Sequence, residues 1–142
     1  MNTVVAIFVV AVFVTLAGWH FRMAWSPPSG AGGAVPSVSG KPLFVPSAGA
    51  TVGVGIALLL FAGLVAAASG FVSTGLSPRL LSWLCYALSL GLLARAVGEF
   101  KYVGFFKRVR GTRFARFDSL VYSPLCLLLA VGVGVVASRS GN

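Results

Sequence analysis

The sequence predicts an all-α, polytopic membrane protein, with four transmembrane helices in one antiparallel bundle. Three observations predict it. Only 9% of the residues are charged, against about 25% in a soluble domain. The hydrophobic share is 58% and the mean hydropathy +0.98; a chain of 142 residues has too much surface to keep so much apolar matter from water. The apolar residues also gather in four runs, each near the roughly 20 residues that cross about 30 Å of hydrocarbon as a helix. In lipid these runs must be helical, because an open strand edge would leave backbone groups unsatisfied. Residues 1–142 are read as a single membrane domain.

The first helix covers about 3–25 and is uninterrupted as far as Trp19. It opens M-N-T-V-V-A-I-F-V-V without a positive n-region, and the first basic residue, Arg22, follows the apolar run. It is therefore expected to be a retained membrane helix and not a signal peptide. The connection 26–47 contains P-P-S-G-A-G-G-A-V-P-S-V-S-G, the composition of an irregular loop. The second helix, about 48–71, carries no charge. A short link to Arg79 predicts that helices two and three are antiparallel neighbours. The third helix, about 80–100, follows the breaker Ser77-Pro78-Arg79.

The connection 101–119 is basic, with Phe105, Phe106, Phe114 and Phe117 set between cations. Such a mixture suits the interface, rings in the headgroup layer and charges toward phosphate or water. Lys101, Lys107, Arg108, Arg110, Arg113 and Arg116 are assigned to that layer. The fourth helix covers about 120–138. Asp118 offers one start, as a cap that complements the helix dipole. Ser123-Pro124 offers another, since proline suits a first turn. Val52-Gly53-Val54-Gly55 is echoed by Val131-Gly132-Val133-Gly134, but valine and glycine are common in such helices and chance explains the echo better than a repeat. Gly49, Gly53, Gly91, Gly132 and Gly134 suit close helix packing.

The net charge of +9 does not point to nucleic acid here, because the basic residues crowd one juxtamembrane connection. Lipid headgroups and topology account for them. With four spans, Arg22, Lys41, Arg95, Lys101, Lys107, Arg108, Arg110, Arg113 and Arg116 share one side, and Arg79 and Arg139 the other. The positive-inside rule then predicts a cytoplasmic membrane location, with both long connections in the cytoplasm and both termini outside.

The stretch Arg95–Tyr122 holds both acidic residues, Glu99 and Asp118. His20, Arg95, Glu99, Asp118 and Tyr122 all fall at one membrane face, where ionisable groups are costly and turn to the bundle interior or to water. A shared ligand-binding pocket of these five is the expectation. Glu99 stands out: Arg95 before it is the weaker order of an i,i+4 pair, and a carboxylate at a helix C-terminus opposes the dipole. Plainer roles compete. Arg95 can snorkel to headgroups, Asp118 can cap or pair with a loop arginine, and His20 can bond a backbone carbonyl. Trp19, Trp25, Tyr102 and Tyr122 suit interfacial anchors. Cys85 and Cys126 are expected at depths differing by roughly 10 Å across a bilayer of about 30 Å, too far for a disulfide. No C-x-x-C or Cys/His spacing suggests a metal, and no cofactor is expected.

The run G-E-F-K-Y-V-G-F-F-K-R-V-R-G-T-R-F-A-R-F-D, followed by Y-S-P-L-C-L, resembles the signature of a family of small bacterial integral membrane proteins known only as a domain of unknown function. The resemblance extends more weakly over most of the chain, with His20 near the end of helix one and K-P-L-F at Lys41–Phe44. Where that pattern has tryptophan three residues after the histidine, this chain has Met23. The resemblance implies four transmembrane helices and no assigned activity.

The expected function is binding of an anionic lipid, an amphiphile or a partner subunit at the cytoplasmic face, with membrane lipids and a second membrane subunit or copy as partners. The alternative is a small membrane enzyme or transporter acting on a hydrophobic substrate, with His20 and Glu99 exchanging protons and Arg95 as clamp. No nucleophile motif, metal cluster or phosphate loop supports an enzyme.

Overall fold

Among the described residues, four helices long and apolar enough to cross a membrane pack against one another. The structure is a computed structural model and describes residues 2–26, 35–38 and 41–140. Helix α1 spans Asn2–Trp25. Residues 27–34 and 39–40 of the long connection, read from sequence as irregular, lie outside the described residues. Its described part is not wholly irregular: β1 (Ser37–Val38) and β2 (Lys41–Pro42) pair antiparallel, Ser37 opposite Pro42.

Helix α2 (Ala48–Ala68) starts where Ser47 Oγ accepts the Ala50 amide at 3.1 Å. It ends three residues before the expected 71, because Ser69, Gly70 and Phe71 close its last carbonyls, with Gly70 at φ 77°. This left-handed glycine after the last turn is a common helix stop. Helix α3 (Pro78–Val97) takes the expected breaker as its own cap. Ser77 Oγ accepts the Leu80 amide at 3.3 Å, and Pro78 occupies the first turn, where its missing N–H costs nothing. Gly98, at φ 88°, ends the helix, so Glu99 lies beyond it and not in its last turn.

The last helical stretch starts earlier than 120. Thr112 Oγ1 accepts the Ala115 amide at 3.0 Å and opens α4 (Arg113–Phe117). A π-helical turn, Asp118–Tyr122, follows, and then α5 (Ser123–Ser140). Asp118 opens the π turn and Ser123-Pro124 opens α5, but the continuous helical stretch begins before both, at Arg113. Pro124 has no N–H and would crowd the carbonyl four residues back. The chain widens instead, with the Ser123 amide reaching the Asp118 carbonyl five residues back.

Helix α1 packs chiefly on α2, and α3 on α5; the pairs meet through α1–α5 and α2–α3. Contacts fix the directions. Phe21 meets Gly55 and Phe13 meets Phe61, so α1 and α2 are antiparallel. Ser82 Oγ donates to the Ala137 carbonyl and Ser89 Oγ to that of Ala130, each at 2.7 Å, so α3 and α5 are antiparallel too. The core is Ala6, Val9 and Phe13 with Val65, Cys85, Leu129, Val133 and Ala137. Ile7, Phe8, Leu60, Trp83, Leu90 and Leu128 face outward. Apolar residues thus line both sides, with small ones enriched at the contacts, as packing within lipid requires. Cys85 is buried, Cys126 half-buried, and both are free thiols.

Candidate functional site

The carboxylate of Asp118 is fully buried at the end of the bundle where α3 stops and α4 begins. Its position follows from local chain geometry on both sides. Gly98 (φ 88°) and Gly104 (φ 91°) lie back to back. A Cβ on Gly98 would overlap the backbone of Val103, and one on Gly104 that of Val97 and Gly98. Glycine alone fits both the left-handed backbone and the close approach. The loop folds back onto α3, with the Phe105 amide on the Ala96 carbonyl at 2.9 Å and the Val109 amide on that of Lys101 at 2.9 Å. The fold-back presents the Gly104 amide to Asp118 Oδ2 at 2.7 Å.

Three side chains complete the shell. Arg95 Nη2 donates to Asp118 Oδ1 at 3.0 Å, Lys107 Nζ to Oδ2 at 2.9 Å, and Ser123 Oγ to Oδ2 at 3.3 Å. Lys107 spends its other protons on the Gly104 carbonyl at 2.9 Å and Ser119 Oγ at 2.7 Å. Every donor of that ammonium is satisfied. Lys107 is 2% exposed, so it is not the headgroup cation expected from sequence. Desolvating it is tolerable because it pairs with a carboxylate and two oxygens at once. Arg95 differs. Its side chain is 37% exposed, yet Nη1 is buried and makes no hydrogen bond among the described residues. Two cations therefore face one carboxylate.

The other expected site residues sit as follows. Glu99 is exposed and accepts the Tyr102 amide at 3.3 Å; the ion pair of Arg95 is to Asp118. His20 is half-buried, with Nδ1 2.7 Å from the Leu16 carbonyl. It stands at the same end of the bundle, but on α1, across from α3. Among the described residues no hydrogen bond joins His20 to Glu99. Tyr122 meets the Phe114 ring in a tilted contact, ring centroids 6.1 Å apart. Arg95 and Asp118 are brought together, while Gly104, Lys107, Ser119 and Ser123 join them unforeseen. Lys101, Arg108, Arg110, Arg113 and Arg116 are exposed. Among the described residues no group of His, Cys, Asp and Glu could hold a metal.

The carboxylate receives four donors, one on Oδ1 and three on Oδ2, an arrangement that favours its charged form. Arg95 Nη1 is a buried donor with no hydrogen bond among the described residues. A family described as a protein of unknown function (DUF3995) matches residues 4–133. No curated protein and no solved structure gives a match.

Proposed function

The chain belongs to the DUF3995 family, and for this multi-pass membrane protein we propose binding of an anionic amphiphile at the end of the bundle that carries Arg95. The observation that supports it is the excess cation. Arg95 and Lys107 share Asp118, and Arg95 keeps a buried nitrogen without an acceptor among the described residues. A buried donor left unpaired costs about 1–3 kcal/mol, more when charged. A phosphate or carboxylate headgroup would supply the acceptor and the missing charge. Arg95 stands two residues before the end of α3, the depth at which headgroups begin.

Asp118, Lys107 and Gly104 position the guanidinium in this reading, and the ligand meets Arg95. Glu99 and His20 stay outside the contact. The membrane is proposed to be a bacterial cytoplasmic membrane, with the basic face in the cytoplasm.

Protein released from native membranes and weighed intact with its bound lipids tests the reading. Arg95→Gln is expected to lose an anionic lipid that the parent retains, and Arg95→Lys to keep part of it. Glu99→Ala is expected to retain it fully. Equal lipid retention by the parent and Arg95→Gln would remove the basis for the proposal.

A further inference from the structure

We infer that the outer face of α4 is a second lipid site, one that seats the phosphate of an anionic phospholipid with its acyl chain on Phe117 and Leu120. It rests on the membrane reading above but uses different residues. An open groove of about 520 Å³ is lined by Gly111, Arg113, Arg116, Phe117 and Leu120. The four side chains recur at spacings of three and four, which places them on one helix face. Asp118 is buried on the opposite face, and among the described residues no ion pair joins Arg113 or Arg116 to a carboxylate.

The order along the helix matches the order of a lipid. Arg113 and Arg116 come in the first turns of α4, at the membrane face. Phe117 and Leu120 come next, toward the span, and Leu120 is 75% exposed. Arg113 lies over the Phe117 ring at 5.9 Å, which holds its charge at the boundary between the polar and apolar parts of the groove. A free phosphate would use only the upper half. An anionic phospholipid uses both, through guanidinium–phosphate bonds and apolar contact below them.

Titration of the purified chain in neutral detergent separates these sources. The probes are dihexanoyl phosphatidylglycerol, glycerol 3-phosphate and dihexanoyl phosphatidylcholine, observed at the backbone amide resonance of Gly111, which lines the groove. Phosphatidylglycerol is expected to bind best, weakening about fivefold for each of Arg113→Gln and Arg116→Gln. Both side chains are exposed, so folding should survive, and Leu120→Asn provides a second variant that should weaken the lipid but not glycerol 3-phosphate. Arg95→Gln should leave this binding intact. The inference is overturned by equal binding of phosphatidylcholine, by glycerol 3-phosphate binding as tightly as the lipid, or by unchanged affinity in the double arginine variant. A loss in Arg95→Gln equal to that in the double variant would merge the two sites into one and overturn it also. Failure of the Arg95 proposal alone would show as unchanged native lipid in Arg95→Gln while the groove still binds the probe.

Discussion

Lys107 and Arg108 are adjacent cations in the same basic run, yet one is sealed and the other faces out. The difference is that Lys107 has three oxygens to meet, one of them charged. Removing either side of such a buried pair strands the other, at a cost of about 3–5 kcal/mol. Lys107→Met and Asp118→Asn should each destabilise the bundle by that order. The double variant should cost well below the sum, a coupling above about 1 kcal/mol. Arg108→Gln, on the exposed side, should stay within about 0.5 kcal/mol. Reversible unfolding in mixed detergent would read all four. Additive losses would mean that Lys107 and Asp118 do not stabilise one another. The depth of Lys107 was not legible in the sequence, because F-F-K-R has no period that distinguishes an inward from an outward cation. What buries it is the fold-back set by Gly98 and Gly104. For Asp118, pairing with a loop arginine was one of the roles foreseen; its charged partners are Arg95 on α3 and the loop lysine Lys107, and Gly104 and Ser123 as partners were not foreseen. They are brought there by a loop and a π turn, neither of which leaves a hydrophobic pattern.

At the scale of elements, the four spans were legible because long uncharged runs have one solution in lipid. Their ends were less so, since a helix stop depends on a few residues. Gly98 ended α3 before Glu99, and Thr112 opened α4 ahead of two other candidate starts. Close packing was legible as a tendency and not position by position. Gly53 and Gly55 stand in the same V-G-V-G run, but an added Cβ meets nothing within 4 Å at Gly53 and lies 2.6 Å from Phe21 Cε1 at Gly55. Gly55→Leu should push α1 from α2 and cost about 1–3 kcal/mol by overpacking. Gly53→Leu should add an outward side chain and cost nothing measurable, with a gain from leaving glycine inside a helix. Thermal unfolding of the pair in one detergent compares them. Equal losses would mean that the α1–α2 contact does not run through Gly55. Gly132, whose added Cβ would lie 2.6 Å from Val9 Cγ2, plays the same part between α5 and α1. The two V-G-V-G runs are thus alike in use, as places where another helix comes close.

For the whole molecule, charge asymmetry is the property from which an orientation is expected. The antiparallel order puts Arg79 and Arg139 at one end of the bundle, and at the other end the long connections with the remaining basic residues. Arg95 and Lys107 are tied to Asp118, and a charge already compensated inside the protein is a weaker topological signal than a free one. Setting both aside still leaves Arg22, Lys41, Lys101, Arg108, Arg110, Arg113 and Arg116 against two. The bias holds without the site, so binding and topology are separable in experiment. A phosphatase that is active only outside the cytoplasm, fused after Asn142 or within residues 71–76, is expected to be active. Fused within residues 43–46, it is expected to be silent. Changing Arg108, Arg110, Arg113 and Arg116 together to glutamine should raise the silent signal by weakening the bias, whereas Lys107→Met should leave it unchanged even as it destabilises the bundle. The reverse fusion pattern would place the basic face outside and turn the headgroup reading toward the outer leaflet. A shift in Lys107→Met as large as that of the four exposed arginines would mean that the buried lysine acts as a free charge while the chain inserts.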